Sequence, residues 1–261
     1  VSTLGRGGSD YTAAIIAAAI NASVLEIWTD VSGMYTANPK FVRQAFPINN
    51  ISYQEAMELS HFGAKVLYPP TIQPVLEKEI PIRIKNTFDA QAEGTLITKI
   101  SSNANPIKGI SHIENMALIT LEGSGMVGIP GISQRLFGAL AQEKISVSLI
   151  TQASSEHSIC FAISNNDSKK AKKIIDSEFK YEINRNKIDP LIVEKNNAII
   201  AVVGDKMKSH QGISGKMFSS LGKNNVNIRA IAQGASEKNI SAVISHKDIK
   251  KALNTIHSEF F

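Results

Sequence analysis

The stretch Ile150-Thr151-Gln152-Ala153-Ser154-Ser155-Glu156 returns 81 residues later as Ile231-Ala232-Gln233-Gly234-Ala235-Ser236-Glu237. The same ungapped offset joins further pairs: Gly123 and Gly204, Met126 and Met207, Gly131 and Gly212, Phe137 and Phe218. Similarity at a fixed period is the signature of a duplicated structural unit. The sequence therefore predicts two copies of one small unit in the C-terminal half of the chain.

Composition limits the classes of protein to which this chain can belong. The chain has 261 residues, 43% of them hydrophobic and 20% charged, which is typical of a globular protein with room for two domains. No apolar run approaches the ~18 residues of a membrane helix, and no charged-then-apolar signal segment opens the sequence. We therefore expect a cytoplasmic protein without membrane contact.

Charge and metal-ligating residues argue against two further classes of protein, nucleic-acid-binding proteins and metalloproteins. The net charge is +5, and the lysine cluster at 169–173 has no interleaved aromatic residues, which favours a solvated helix face over nucleic-acid binding. The single cysteine, Cys160, excludes an internal disulfide and a cysteine-based zinc cluster, and the six histidines show no metal-ligand spacing. The sequence predicts no metal site and no nucleic-acid partner.

The first 98 residues alternate strand and helix patterns. A glycine-rich turn at 5–10 precedes a predicted helix over 11–22, capped by Ser9 or Asp10, and a strand over 24–29. Ser52-Tyr53-Gln54-Glu55 fits a capping box that starts a helix reaching Phe62. Further predicted elements are a helix from Gly63 to before Tyr68, a helix over 71–78 and a strand over 80–86. This alternation predicts an α/β domain over residues 1–98.

The polar, turn-rich stretch at 95–105 is the predicted boundary, and the repeats follow as units 105–197 and 198–261. Each repeat reads strand, glycine-containing loop, helix, strand, turn, strand and lysine-rich helix. The predicted elements are 116–123, 132–144, 147–152, 158–164 and 168–179 in the first copy, and 198–204, 213–223, 227–233, 239–245 and 248–260 in the second. This order indicates an α+β ferredoxin-like module.

Two groups of residues in the first domain have the chemistry of a ligand site. The 5–10 turn presents backbone N–H groups at a helix N-terminus, and Arg6 adds a fork suited to a carboxylate or phosphate. Thr29-Asp30 follows a strand, where open α/β sheets bind ligands, while Tyr35 could stack on a base and Lys65 could reach a phosphate. The alternatives are a tight turn with a helix cap, ordinary turn chemistry and a surface lysine.

Gly123-Ser124-Gly125-Met126-Val127-Gly128 matches a dinucleotide fingerprint, but its context argues against a nicotinamide site. The second copy keeps only the first glycine, which suggests that the shared fold does not require these glycines. The next strand ends in Gln152 rather than in an acid for the ribose, and the third glycine precedes Ile129-Pro130-Gly131, so the helix starts too late.

Gln152 and Gln233 occupy the same place in the two copies. A glutamine side chain offers two donors and an acceptor, so a buried pocket around it can recognise a hydroxyl and reject the methyl isostere. The alternative is that each glutamine ties down its own turn. The duplicated amide suggests duplicated binding of a small polar ligand.

These residues together resemble the aspartokinase family. Three stretches resemble kinase signatures of that family: Thr3–Tyr11, Trp28–Tyr35 and Phe62–Leu67. The repeated halves resemble its regulatory ACT domains, and the resemblance covers essentially the whole chain. The loops around Gln152 and Gln233 are most similar to the threonine-inhibited branch, which is typically the front part of a bifunctional aspartokinase–homoserine dehydrogenase.

The resemblance implies a fold, a reaction and a set of site residues. The fold is the C-terminal part of an α/β amino-acid kinase followed by tandem α+β ACT domains, and the reaction is phosphorylation of the L-aspartate β-carboxylate by ATP with Mg²⁺. Arg6 and Ser9 bind aspartate, with Asp10 catalytic. The implied nucleotide ligands are Thr29, Asp30, Tyr35, Lys40 and Lys65, and the implied effector ligands are Gln152, Gln233, Met126, Gly131, Ile132, Val147 and Ser148.

The resemblance also implies a particular arrangement of the regulatory half. Residues 105–112, including Lys108-Gly109-Ile110-Ser111, are expected to be a strand of the second ACT unit, with the first unit inserted into the second. L-Threonine is expected to bind between paired ACT units, and ACT pairing implies a homo-oligomer. The family's N-terminal Lys-x-Gly-Gly phosphate loop does not occur in the chain, so we expect an internal piece without kinase turnover of its own.

Three alternatives stay open at this point. The first is a lysine-inhibited, monofunctional aspartokinase, although such relatives typically have aspartate at the position of Ser148. The second is a non-catalytic module whose ACT-like pairs serve only in assembly. The third is a nicotinamide-dependent dehydrogenase. Titration with different amino acids and with NADPH would separate them.

Overall fold

The computed structural model describes residues 7–61, 66–101, 105–152 and 156–261, apart from the side chain of residue 209. An N-terminal lobe comprises helices α1 (Gly8–Ala19), α2 (Tyr53–His61) and α3 (Ile72–Leu76), and strands β1 (Leu25–Thr29), β2 (Asn50–Ser52), β3 (Ile82–Asn86) and β4 (Thr95–Thr98). The four strands form one sheet in the order β1-β3-β4-β2. β1 is parallel to β3 and β2 to β4, whereas β3 and β4 are antiparallel.

Strand β4 forms at the start of the stretch 95–105, which the sequence analysis read as polar and turn-rich. The stretch Thr95–Thr98 pairs with both β2 and β3, and Ile97 is fully buried between them. Three of its four residues are Thr or Ile, which favour strands, although the flanking residues are polar. The turn-rich connection therefore begins only after Thr98.

Helix α1 begins three residues earlier than predicted. Gly7 precedes it in the left-handed conformation (φ 77°), and no side chain caps the helix. Ser9 and Asp10 lie inside the first turn, so the predicted capping by either of them is wrong. The helix also ends early, at Ala19, because Asn21 takes the left-handed conformation (φ 50°).

The capping box of α2 is confirmed. Ser52 N donates to Glu55 Oε2 at 2.9 Å, and Glu55 N donates to Ser52 Oγ at 3.0 Å. The helix predicted from Gly63 lies mostly outside the described residues, and Val66 and Leu67 are in a turn. The third predicted helix is a 3₁₀ turn, Pro69–Thr71, that continues into α3.

The C-terminal half contains one six-stranded antiparallel sheet. Its strands are β5 (Gly109–Glu122), β6 (Val147–Gln152), β7 (Ser158–Ser164), β8 (Ile192–Val203), β9 (Ile228–Gln233) and β10 (Asn239–Ser245), in the order β6-β7-β5-β8-β10-β9. The helices are α4 (Ile132–Gln142), α5 (Ser168–Glu178), α6 (Lys180–Asn184), α7 (Ile213–Lys223) and α8 (Ile249–Phe260). The edge strands β6 and β9 contact each other, so the sheet curls strongly.

The two copies share their central strands. The first part of β5, Gly109–Ile113, pairs with the end of β8, while the second part, Met116–Glu122, pairs with β7. Both long strands are interrupted by an asparagine in the left-handed conformation, Asn115 and Asn196, each with φ 59°. β5 and β8 therefore begin several residues earlier than predicted, because the bulge breaks the apolar alternation at the expected strand start.

The duplication extends to the backbone. Helices α4 and α7 each follow a left-handed glycine, Gly131 (φ 91°) and Gly212 (φ 86°). Further left-handed positions recur at the same 81-residue offset: Lys144 and Asn225, Glu156 and Glu237, Asn115 and Asn196. Non-glycine residues seldom adopt this conformation, so its recurrence at matched positions identifies one fold built twice.

Alternate residues of the central strands enter different cores. Ile119 packs with α4 and α5, and Ile200 packs with α7 and α8. The neighbouring residues Leu118 and Ile199 face the opposite side and belong to the same core as the N-terminal lobe. Helix α2 lies against β5 and β8, which joins the lobe directly to the six-stranded sheet.

Candidate functional site

A cleft lies in each copy, and the two clefts are built from matched positions. The first has a volume of about 460 Å³ and the second about 220 Å³. The matched lining pairs are Met126 and Met207, Gly131 and Gly212, Ile132 and Ile213, Gln152 and Gln233, Glu156 and Glu237, Ile159 and Ile240. The residues that line each cleft come from one copy, and the predicted site between paired units stays a prediction.

The N-terminus of a helix forms one wall of each cleft. Because Gly131 and Gly212 have no side chain, the first N–H groups of α4 and α7 have no side-chain cap. Such a terminus is a ready site for a carboxylate. In the first copy Glu156 lies opposite, and its carboxylate accepts a hydrogen bond from Gly128 N at 3.0 Å. A zwitterion can therefore find partners of both signs in this cleft.

The glutamine side chains lie at the rims of the clefts. Gln152 and Gln233 end β6 and β9 and are exposed, which differs from the buried amide expected from the sequence. Gln233 Oε1 accepts a hydrogen bond from Ser214 Oγ at 3.3 Å. A ligand in the second cleft must therefore replace that bond, or share it, to use the Gln233 carbonyl.

Two predicted lining residues lie elsewhere. Val147 and Ser148 are at the opposite end of β6 from Gln152, and neither lines the cleft. Val147 packs against the core beneath α4 and α5. A role of these two residues in shaping the pocket therefore stays a prediction. Met126, Gly131 and Ile132 do line it.

The carboxyl ends of β1 and β3 bring polar groups together in the N-terminal lobe. Thr29 and Asn86 are in register at these ends, and Thr87 N donates to Thr29 O at 2.8 Å. Asn86 Nδ2 donates to Ser32 Oγ at 2.9 Å, and Thr29 Oγ1 donates to Asp30 Oδ1 at 3.2 Å. This edge is where open α/β sheets bind ligands.

Asn86 was missed by the sequence analysis. What marks Asn86 is its position at the end of β3, beside Thr29 of the parallel strand β1. This position is known from the strand pairing and not from the sequence. Lys85, its neighbour, lies with Nζ 5.5 Å from the ring centroid of Trp28, itself 46% exposed. A cation and an indole therefore flank the same strand ends.

The other predicted kinase-lobe residues are spread along the lobe. Tyr35 is half-buried and forms an isolated bridge with Pro47, and Lys40 is exposed. Ser9 Oγ donates to Asp10 Oδ1 at 3.2 Å in the first turn of α1. Arg6 and Lys65 lie outside the described residues. A Cβ on Gly7 would overlap the Tyr68 side chain, so the start of α1 lies close to the segment that follows Lys65 in the sequence.

The fingerprint glycines serve packing. A Cβ on Gly123 would overlap the carbonyl oxygen of Lys187, and one on Gly204 would overlap that of Pro106. The first glycine is therefore needed in both copies, contrary to the expectation that the shared fold does not require it. A 3₁₀ turn over Ser124–Met126 separates β5 from α4. Packing explains Gly123 and Gly125, and the left-handed conformation (φ 67°) explains Gly128, without a dinucleotide.

The described residues contain neither a cluster of metal ligands nor a helix able to span a membrane. Within residues 7–61, 66–101, 105–152 and 156–261, no three His, Cys, Asp or Glu side chains are grouped to hold a metal ion. None of the helices in those ranges has the length and apolar character needed to cross a membrane.

Comparison with known proteins agrees with this architecture. Residues 1–86 match the amino acid kinase family, and residues 119–179 and 200–260 match the ACT domain. The chain is 46% identical to a bifunctional aspartokinase/homoserine dehydrogenase of Haemophilus influenzae, covering 99% of this chain and 32% of that protein. A chloroplastic relative from Daucus carota is 43% identical, covering 100% and 29% respectively. The chain thus spans about a third of the length of these relatives.

Solved structures of aspartate kinases also resemble this chain along its whole length. Aspartate kinase from Clostridium acetobutylicum matches with a TM-score of 0.89 and 35% identity, covering 100% of this chain and 60% of that one. E. coli aspartokinase III in complex with aspartate and ADP (R-state) matches with a TM-score of 0.83, 33% identity and coverage of 100% and 57%. The same enzyme with lysine and aspartate (T-state) gives 0.79, 34%, 100% and 57%. With its kinase-type lobe and paired ACT units, the chain belongs to the aspartokinase family.

Proposed function

We propose that this chain is the threonine-sensing part of an aspartate kinase that transfers a phosphoryl group from ATP to the β-carboxylate of L-aspartate. The observation that carries the proposal is the duplicated cleft, in which an uncapped helix N-terminus, a carboxylate and a glutamine recur at matched positions. The aspartokinase family membership supports the catalytic half of the proposal.

The kinase-lobe residues take the roles that the family resemblance implies. Arg6, Ser9 and Asp10 hold aspartate at the start of α1, while Thr29 and Asp30 receive the nucleotide at the carboxyl end of β1. Tyr35, Lys40 and Lys65 complete the ATP contacts, with Mg²⁺ neutralising the phosphates. Phosphoryl transfer depends mainly on positioning and charge neutralisation, which this set of residue types can supply. The ADP and aspartate bound to E. coli aspartokinase III support the assignment of substrates.

Threonine fits the chemistry of the clefts. Its α-carboxylate can bind the first N–H groups of α4 or α7, and its ammonium group can pair with Glu156 or Glu237. The glutamine amide at the rim can then bond the side-chain hydroxyl. The apolar floor, Met126 and Ile159 in the first copy, suits the threonine methyl group.

Lysine is the second candidate effector, because it is bound in the T-state structure of E. coli aspartokinase III. Its side-chain ammonium group needs a second acid in addition to the one that pairs with the α-ammonium. Among the described lining residues each cleft carries one carboxylate, Glu156 or Glu237. This count favours a neutral hydroxylated side chain over a cationic one.

A second copy of the chain would close the clefts. Beside the glutamines, Ile150 and Ile231 lie on the edge strands β6 and β9 and are 49% and 41% exposed. Edge strands with exposed apolar residues readily pair with another sheet. Homo-oligomers formed through the ACT units would bury these isoleucines and turn the open rims into enclosed pockets, which accounts for the exposed glutamines of the single chain.

Calorimetric titration with threonine, valine, lysine and methionine tests the proposal. We expect threonine to bind, and valine, which replaces the hydroxyl with a methyl group, to bind at least about tenfold more weakly. Gln152→Ala and Gln233→Ala should each weaken threonine binding at their own cleft about three- to tenfold, because one or two hydrogen bonds of ~0.5–1.5 kcal/mol are lost.

Unchanged melting temperatures of the unliganded variants are the control for intact folding. Equal binding of valine and threonine would contradict recognition by the glutamine amides. Saturable binding of lysine alone would replace threonine as the effector.

A further inference from the structure

The turn over residues 30–33 follows β1 and begins with Asp30, one of the proposed nucleotide ligands. Within the described ranges of the chain, no backbone–backbone hydrogen bond involves any of these four residues. Asp30 is exposed, and Val31 and Ser32 are half-buried. Because its own backbone bonds do not hold the turn, its position depends on side chains from other parts of the lobe.

Thr95 of β4 holds the end of the turn. Thr95 is fully buried, and its Oγ1 accepts from Met34 N at 2.8 Å and donates to Ile48 O at 2.6 Å. Gly33 packs so closely against this side chain that a Cβ on the glycine would overlap Thr95 Oγ1. This end of the turn therefore cannot move without breaking buried hydrogen bonds.

Asn86 at the end of β3 holds the middle of the turn. Its Oδ1 accepts from Phe88 N at 2.9 Å, so the other side of the amide is the NH₂ group, and Nδ2 donates to Ser32 Oγ at 2.9 Å. In the part of the chain that the structure describes, Ser32 makes no other hydrogen bond. The contact between these two side chains is therefore the polar attachment of Ser32 to the sheet.

The backbone on either side of the Asn86 side chain is held firmly. Asn86 is in register with Thr29, and Thr87 N donates to Thr29 O at 2.8 Å. Lys85 fixes the loop that follows, since its Nζ donates to Ala92 O at 2.8 Å. The amide is thus placed beside the carboxyl end of β1 before any ligand binds, and such preorganisation lowers the entropy lost on binding.

We propose that Asn86 is a positioning residue for the nucleotide and acts through its hydrogen bond to Ser32. The inference rests on the proposed function, because it takes Thr29 and Asp30 as nucleotide ligands. Held by Asn86 and by Thr95, the turn keeps these two ligands in one arrangement at the carboxyl end of β1. Without the bond to Ser32 the turn adopts other conformations as well, and the apparent affinity falls with the population of the competent one.

Binding of ADP with Mg²⁺ to the 261-residue chain tests the inference. Trp28, the single tryptophan of the sequence, precedes Thr29 and is 46% exposed, so its fluorescence reports on this site, and calorimetry measures the affinity independently. Ser32→Ala removes the partner of Asn86 and should weaken ADP binding about three- to tenfold, as expected for one lost hydrogen bond. Asn86→Ala should weaken binding at least as much, because its bond to Phe88 N is lost as well.

The double variant distinguishes positioning through Ser32 from direct contact with the nucleotide. If Asn86 acts through Ser32, adding Ser32→Ala to Asn86→Ala should weaken ADP binding by less than about twofold further. Ser32→Thr keeps the hydroxyl group and should restore wild-type affinity.

The matched control is Asn224→Ala, which removes an amide bond of the same length in the second ACT unit, from Asn224 Nδ2 to Ser220 O at 2.9 Å. This variant should bind ADP like the wild-type chain. Melting temperatures of all variants without ADP identify any general loss of folding.

The outcomes separate this inference from the proposed function. If ADP does not bind the wild-type chain, the proposed nucleotide ligands are wrong and this inference falls with them. If ADP binds and Ser32→Ala binds it as tightly as wild type, this inference alone is overturned. The same holds if the two substitutions weaken binding independently, since Asn86 then acts without Ser32.

Discussion

Gly204 lies where the segment leading into β5 passes against the end of β8. A side chain there would meet the carbonyl oxygen of Pro106, and in the first copy Gly123 meets Lys187 in the same way. The two backbone segments can approach this closely only because neither glycine carries a Cβ. At the scale of single residues, close backbone packing therefore limits which side chains these positions accept.

We expect Gly204→Ala to lower the free energy of unfolding by about 1–3 kcal/mol, since the added methyl must displace backbone. The control is Gly138→Ala in α4, where a Cβ would find open space. That change should stabilise the chain by about 0.5–1 kcal/mol through helix propensity. Denaturant unfolding of both variants measures the difference. Wild-type stability in Gly204→Ala would refute the packing explanation.

The sequence identifies some site residues and not others for a physical reason. Gln152 and Gln233 are found from the repeat alone, because a conserved spacing does not depend on how strands pair. Asn86 is found only once β3 is known to lie beside β1. Val147 is close in sequence to the cleft residues, but its side chain packs against the core beneath α4 and α5, which the sequence alone does not indicate.

The bulges in β5 and β8 decide the architecture at the scale of elements. Asn115 and Asn196 take left-handed conformations inside strands, so the faces of each strand exchange at that point. This exchange lets one strand serve both copies, because Ile110 of its first part packs with α7 and α8, and Ile119 of its second part packs with α4 and α5. The bounds of β6, β7, β10 and α7 agree with the prediction, because clear turns enclose them. The long strands do not, because a bulge interrupts the period on which the prediction relies.

Substitution at Asn115 tests the requirement for a left-handed residue. Asn115→Val should destabilise the chain by about 1–2 kcal/mol, because a β-branched residue is strained at φ 59°. Asn115→Gly should stay within about 0.5 kcal/mol of wild type, since glycine adopts this conformation freely. Thermal unfolding followed by circular dichroism compares the two variants. Equal stability of the valine and glycine variants would argue against the bulge as the cause.

At the scale of the whole molecule, the kinase-type lobe and the second ACT unit share a buried histidine contact. His257 in α8 is 3% exposed, and its Nε2 lies 3.0 Å from Thr36 Oγ1 of the N-terminal lobe. Its ring stacks on Phe261 with centroids 4.9 Å apart. Burial lowers the pKa of His257 below its usual 6.5, so the folded chain favours the neutral imidazole.

This shift predicts a dependence of stability on pH. Below about pH 6.5 the unfolded chain binds a proton at His257 that the folded chain resists, so stability falls as the pH drops through this value towards the lowered pKa. Above pH 6.5 both states are neutral there, and the contribution is constant. His257→Gln should remove this part of the slope, while His246→Gln, at an exposed position, should retain it. Unfolding free energies between pH 5 and 8 provide the measurement, and an unchanged slope in His257→Gln would contradict the assignment.

The sharing of β5 and β8 has a consequence for synthesis of the chain on the ribosome. The first ACT unit needs Ile192–Asn197 as its fourth strand, and the second needs Gly109–Ile113, made long before the rest of that unit. Neither ACT unit can complete its sheet until β8 has been synthesised, which happens about 80 residues after Gly109–Ile113. Such long-range pairing slows folding. The two ACT units therefore fold together, and neither can be expressed alone or transferred to another protein as an independent domain.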